Sequence, residues 1–208
     1  LHYRENDQPL RDGDLLLVDA GCEYQYYASD ITRTFPVNGR FTQAQREVYD
    51  IVLDVQLQCV EATKKGTTIK QRQELSIELL TEGMKKLGLL KGKTDDLIKK
   101  KKFMKYYMHG VGHYLGLDVH DAGRYFTEQQ AKNSRPFEPG MVLTVEPGLY
   151  IPPDDKDAPA KYRGIGIRIE DDVLVTEEGN VNLTAKVPKE AEAIEELMNS
   201  AKAKQNAA

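Results

Sequence analysis

The stretch LLLVDAGCEYQYYASDITRTFPV, residues 15–37, holds two runs that favour extended backbone, separated by a short polar segment. Leu15, Leu16, Leu17 and Val18 fill the first run, while β-branched and aromatic residues crowd the second, so both read as strands. The apolar run ahead of Asp19 is the kind expected of a buried central strand, where an unpaired carboxylate is costly. With a turn centred on Tyr24 and Gln25, Asp19 falls directly opposite Asp30 on one face of a hairpin. Cross-strand neighbours have Cβ atoms about 5 Å apart, and like charges so placed repel unless a cation lies between them. The pair therefore predicts a divalent metal.

A second strand pair repeats the logic. MVLTVEPGLYI (141–151) and GIGIRIEDDVLVT (164–176) flank the loop PPDDKDAPAKYR, and Glu146 and Glu170 each lie twelve residues from Ala158 at its middle. The two glutamates can therefore face one another. Alternation sends Ile165, Ile167 and Ile169 to one side of the strand and Arg168, Glu170 and Asp172 to the other. Each strand pair carries one acid per strand, a hint of internal duplication, and four acids so placed call for cations.

Between the pairs the text turns helical. Thr42 with Gln45 makes a capping-box pattern ahead of Val48, Ile51, Val52, Val55 and Cys59 at helical spacing, closed by Lys64, Lys65 and Gly66. Thr68 with Gln71 opens a second helix carrying Leu75, Leu79 and Leu80, with Gly88 after Leu87 as its stop. From Tyr106 the character changes to glycine and histidine: His109, His113 and His120 are three of the four histidines in the chain, packed into twelve residues. Glycines at that density let backbone approach a substrate closely. A polar loop runs on to the turn at Phe137–Glu138–Pro139–Gly140, and a helix from about Lys189 ends the chain in an Ala-rich, fraying tail. Strands, helices, strands and a final helix, without regular alternation, read as α+β with antiparallel pairing.

Composition narrows the function classes. The 208 residues suffice for one large domain or two small ones, and 40% hydrophobic with 30% charged residues is ordinary for a globular chain. A net charge of −4 argues against nucleic acid as a partner, because phosphate binding needs a basic surface. The Lys99–Lys102 run reads as a solvated turn or helix end. No stretch approaches the ~18 apolar residues of a membrane span, and Cys22 and Cys59 match no metal or redox spacing, so the expectation is a cytoplasmic protein without a membrane partner. Oxygen-rich ligands with one imidazole suit Mn²⁺, Co²⁺, Zn²⁺ or Fe²⁺.

LLLVDAG with SDITRTF, HGVGH with LGLDVHD, and LTVEPG with GIRIEDD together resemble the creatinase/methionine-aminopeptidase family of pita-bread metallopeptidases. The linking text FPVNGRFTQAQREVYDIVL and YRGIGIRIEDD is most similar to its proline-specific aminopeptidase branch. The resemblance implies a curved antiparallel sheet covered by helices, with Asp19, Asp30, His113, Glu146 and Glu170 holding two divalent metals, usually manganese. It further implies substrate-facing roles for His2, His109 and His120, a proton-relay role for Glu146, and Arg168 beside the metal carboxylates. The implied reaction releases the N-terminal residue of a peptide with proline in second position, by attack of a metal-bridging hydroxide. Two alternatives stand beside it: a dipeptidase limited to Xaa-Pro, and a non-catalytic peptide-binding module, although such modules typically lose ligands and all five are present. Relatives carry an N-terminal domain, then a helix pair and a strand, before the segment matching His2 and Tyr3. Residues 1–208 are thus expected to be a C-terminal catalytic domain lacking the first helix pair, and prone to associate with a second copy.

Overall fold

The structure, a computed structural model, describes residues 5–127 and 133–205. His2 and Tyr3 lie outside the described residues. The chain opens with β1 (Leu15–Ala20), the short β2 (Glu23–Tyr24) and β3 (Tyr27–Ala28), and β4 (Ile31–Pro36). Helices α1 (Gln43–Ala62), α2 (Ile69–Lys86) and α3 (Thr94–Lys99) follow. Then come β5 (Val142–Val145), β6 (Gly148–Tyr150), β7 (Gly166–Arg168), β8 (Asp171–Val175), β9 (Asn180–Asn182) and the closing α4 (Ala191–Gln205). Every strand pair among the described residues is antiparallel, as expected of an α+β chain.

Both long helices start where the sequence places them. Thr42 and Thr68 each accept a hydrogen bond from the backbone N–H three residues on, and Gln45 and Gln71 reach back to the capping residue's own N–H. Gln45 also donates from Nε2 to the Gly13 carbonyl at 2.9 Å, which ties the helix start to the turn entering β1. Loss of such a cap costs about 1 kcal/mol. Thr68→Ala is accordingly expected to lower the thermal midpoint by a few degrees, read by calorimetry, with no change at the strand pairs.

The apolar face of α1 packs on the inner face of β6 and β7, and α2 packs against α1. Val48, Val52, Val55, Leu80 and Met84 share one core with Leu149, Ile165, Ile167 and Ile169. Full burial of each such side chain stabilises the fold by roughly 1.5–3 kcal/mol. The isoleucine alternation is therefore as the sequence implies: odd positions face the helices, leaving Arg168 and Glu170 on the opposite face. Lys99 closes α3 and Lys100 to Lys102 follow it, all four exposed, the solvated arrangement expected.

Two expectations about the first hairpin need correction. The turn sits at Gln25 and Tyr26, both at positive φ (50° and 73°), so Asp19 pairs with Thr32, not Asp30. The error is two residues in the partner strand, which preserves the face. Asp30 still projects on the same side as Thr32 and Asp19. Nor is β1 a buried central strand: Leu15, Leu16 and Leu17 are half-buried, and Val18 is 37% exposed. Among the described residues β1 pairs with β4 alone, and its leucines border a groove of about 870 Å³ shared with Leu10 and Ile165.

No described helix is long and apolar enough to cross a membrane.

Candidate functional site

The second hairpin shows the expected register. Gly148 pairs with Arg168 and Val145 with Asp171, so Glu146 and Glu170 occupy facing positions at the break where Pro147 interrupts the ladder. Strand β4 lies alongside: Glu170 N–H donates to the Thr32 carbonyl at 3.1 Å, and Thr34 Oγ1 donates to the Arg168 carbonyl at 2.9 Å. The histidine segment runs antiparallel to β5 on the other side, with Thr144 N–H donating to the His113 carbonyl and Glu146 N–H to the Val111 carbonyl, both at 2.9 Å. Three separate stretches of sequence thus meet edge to edge.

Their side chains converge on one cavity of about 770 Å³. Asp19, Asp30, His113, Glu146 and Glu170 all line it, together with His109, His120 and Arg168. Single donor atoms of Asp30, His113 and Glu170 lie within 4.8 Å of one another. His113 Nε2 is 3.5 Å from both Asp30 Oδ2 and Glu146 Oε1. Its Nδ1 faces the Tyr114 carbonyl at 2.9 Å, and since a carbonyl only accepts, the proton sits on Nδ1. That tautomer turns the Nε2 lone pair toward the acids, as a metal-binding histidine requires.

The acids are crowded enough to hold protons. Burial pushes Glu146 up to about 7, with Asp30 and Asp19 adding to the rise against the lowering effect of His113 and Arg168. Burial, then the charges of Glu146 and Asp30, push Glu170 up to about 9. Asp19 and Asp30 behave as a pair. Burial and the neighbouring Asp30 raise Asp19, whereas at Asp30 burial is outweighed by hydrogen bonds from His113 and Asp19, so it is held low. Glu170 Oε1 is buried with no hydrogen-bond partner, while Oε2 accepts from Thr32 Oγ1 at 2.5 Å. A buried carboxylate oxygen without a donor is the signature of a place for a cation.

Supporting side chains fix the donors in place. Arg168 donates from NH2 to Asp19 Oδ2 at 2.7 Å and from Nε to Thr32 Oγ1 at 3.1 Å. Its NH1 donates to Tyr150 Oη at 3.0 Å, and that hydroxyl meets His109 Nε2 at 2.8 Å. His109 Nδ1 faces the Gly110 carbonyl at 2.8 Å, so its Nε2 is the acceptor and Tyr150 the donor. Burial accordingly lowers His109. The His120 ring sits edge-on to His113 with centroids 4.3 Å apart, on an exposed loop at the cavity wall. Asp172, on the site side as the alternation implies, accepts the Asp30 N–H at 3.1 Å. Behind the sheet Arg33 donates to the carbonyls of Glu170, Thr32, Val187 and Pro188 and to Asp171, locking the strand that carries Glu170.

Sequence reasoning passed over Tyr150, Thr32 and Thr34. Parity could have found them, since Thr32 and Thr34 alternate with Asp30, and Tyr150 lies an even four residues from Glu146. Backbone approaches closely at Gly21, where a Cβ would fall 1.8 Å from the Ser29 carbonyl oxygen, and at Gly112, where it would fall 2.0 Å from the Thr144 carbonyl oxygen. Gly21→Ala is expected to force β1 away from the Ser29–Asp30 segment. The separation of Asp19 from Asp30 would appear as a lower melting temperature in calorimetry.

The model of metallopeptidase family M24 matches residues 1–177. Among curated proteins the chain is similar to the Xaa-Pro aminopeptidase of Haemophilus influenzae, 56% identical over 199 residues, covering 96% of this chain and 45% of that relative. A solved histidine-to-alanine variant of Escherichia coli aminopeptidase P superposes with a TM-score of 0.92 at 56% identity, covering 97% of this chain and 45% of that one. Pseudomonas aeruginosa aminopeptidase PepP gives a TM-score of 0.94 at 49% identity, covering 98% and 45%. The chain thus spans a little under half the length of these relatives and shares the pita-bread fold over nearly all of its own residues. Acids from two strand pairs converging on one cavity, one histidine with its lone pair turned inward, and the family match lead to one conclusion: the chain belongs to metallopeptidase family M24.

Proposed function

We propose that Asp19, Asp30, His113, Glu146 and Glu170 hold two divalent metal ions, manganese first among Mn²⁺, Co²⁺, Zn²⁺ and Fe²⁺. On this reading the whole protein, of which residues 1–208 form the catalytic part, releases the N-terminal residue from peptides with proline in second position. The observation that carries this reading is the meeting of Asp30, His113 and Glu170 donor atoms within 4.8 Å around a buried carboxylate oxygen that nothing satisfies. The donor set fits, since four carboxylates and one imidazole suit a hard or borderline divalent ion. Bound metals would supply Lewis acidity toward the scissile carbonyl and a water nucleophile of lowered pKa.

The chain's own residues then divide the work. Glu146, at the edge of the cluster 3.5 Å from His113 Nε2, would take up and return the proton of the attacking water at its carboxylate. Arg168 keeps Asp19 oriented through a 2.7 Å bond and, through Tyr150, holds the His109 ring against the cavity wall. His109 and His120 face the substrate from the two ends of the histidine segment. His2, outside the described residues, completes the proposed set. The partner is a peptide, and the proposed setting is the cytoplasm.

Hydrolysis assays on the full-length protein test this. Loaded with Mn²⁺, it should release the first residue from an Xaa-Pro-Xaa tripeptide and leave an Xaa-Ala-Xaa control intact. Cleavage of an Xaa-Pro dipeptide alone would reassign it as a dipeptidase, and no cleavage of either by a metal-loaded protein would favour a binding module.

A further inference from the structure

Helix α2 lies outside the cavity, yet one of its side chains reaches the turn that carries His109 and His113. Gln73 Oε1 accepts the Val111 N–H at 2.6 Å. Because the Val111 N–H can only donate, the amide oxygen faces it, and Gln73 Nε2 is left to donate to Tyr107 Oη at 3.4 Å. Val111 is fully buried, and its carbonyl accepts the Glu146 N–H at 2.9 Å. Both main-chain polar groups of Val111 are therefore clamped, one by helix α2 and the other by the backbone of Glu146.

The same helix supports His109. Tyr107 Oη is 3.1 Å from Ser76 Oγ, and the Tyr107 ring meets the His109 ring edge-on with centroids 5.1 Å apart. Between the two histidines stand Gly110, Val111 and Gly112, so the turn has few side chains with which to lock itself. Glycine backbone is the most easily displaced, and a shift of about 1 Å at a catalytic centre can cost 100-fold. An anchor from outside the turn is what its composition lacks.

We propose that Gln73 is a positioning residue for the metal centre, holding His113 and Glu146 at their working separation through Val111. The inference rests on the metal-binding reading of those two residues. It assigns α2 a function beyond packing, and it makes the centre sensitive to changes on a helix that touches neither metal nor substrate.

The test is Mn²⁺ titration calorimetry on the full-length, chelated protein, with Gln73→Leu, Gln73→Asn and Gln73→Glu beside wild type. The Leu variant removes the acceptor, the Asn variant keeps the amide but falls short, and the Glu variant keeps an oxygen within reach of Val111. Affinity is expected to fall about 10–100-fold for Leu and Asn, the range of outer partners of metal ligands, and to stay within a few-fold of wild type for Glu. With the tripeptide, kcat should fall in the Leu and Asn variants while KM changes little. If Leu prevents folding, Asn carries the comparison. A lower melting temperature of the chelated protein with unchanged Mn²⁺ affinity and kcat would show a structural role only and overturn the proposal. A wild-type protein that takes up no Mn²⁺ would overturn the metal reading together with it.

Discussion

Asp30→Ala in the full-length protein will reduce metal-dependent hydrolysis of an Xaa-Pro-Xaa peptide by more than the roughly 100-fold that loss of an outer-shell partner costs. Asp30 is 8% exposed, its Oδ2 lies 3.5 Å from His113 Nε2, and its charge contributes to the raised pKa values of Glu146 and Glu170. Removing it takes one anionic donor from the centre of the cluster. The fold should survive, because the main-chain N–H of residue 30 keeps its bond to Asp172 and β4 keeps its ladder with β1. Glu170→Ala should behave alike, since Glu170 is 1% exposed and offers the orphaned oxygen. Glu178→Ala is the control, an exposed acid outside the cavity, and should match wild type. Steady-state kinetics beside metal analysis of each variant checks this. Wild-type activity in Asp30→Ala with metal still bound would show that the ligands are misassigned.

The second large effect concerns pH. In the metal-free protein Glu146 and Glu170 hold protons up to about 7 and about 9, whereas an ordinary glutamate releases its proton near 4.5. Their folded-state values are raised, so the native fold binds more protons than the unfolded chain. That contribution to stability is fully present below the ordinary value and is lost as pH rises from there, through about 7 for Glu146 and about 9 for Glu170. Metal ions reverse the trend, because a bound cation displaces the protons. Each displaced proton makes affinity rise about tenfold per pH unit, so from pH 6 to 8 Mn²⁺ should bind roughly 100- to 1,000-fold more tightly. Chelated protein should melt at progressively lower temperature across this range, and the gap to Mn²⁺-saturated protein should widen. A gap that narrows toward high pH would contradict the crowded-acid account.

Much of this was legible in the residues, and the failures have physical causes. The capping boxes at Thr42 and Thr68 are local, decided within four residues, and both helices begin where they place them. The facing of Glu146 and Glu170 was legible because the alternation in GIGIRIEDD leaves one parity for the core. The first hairpin went wrong at its turn. Two-residue hairpin turns with positive φ usually advertise themselves with Asn or Gly, and here Gln25 and Tyr26 adopt them without either. The mistake left the acids on the correct face because an even slip keeps parity. The exposure of Val18 was illegible, since an apolar run tells what a strand can bury and not what covers it. Gln73 acts through a contact between elements distant in sequence, and spacing alone carries no trace of it.

The place where metal binds is the most direct test. Anomalous diffraction from crystals of the full-length protein grown with Mn²⁺ should show two peaks in the cavity, shared among the carboxylates of Asp19, Asp30, Glu146 and Glu170 and Nε2 of His113. Absence of peaks there at saturating Mn²⁺, or ordered Mn²⁺ held by other residues alone, would contradict it.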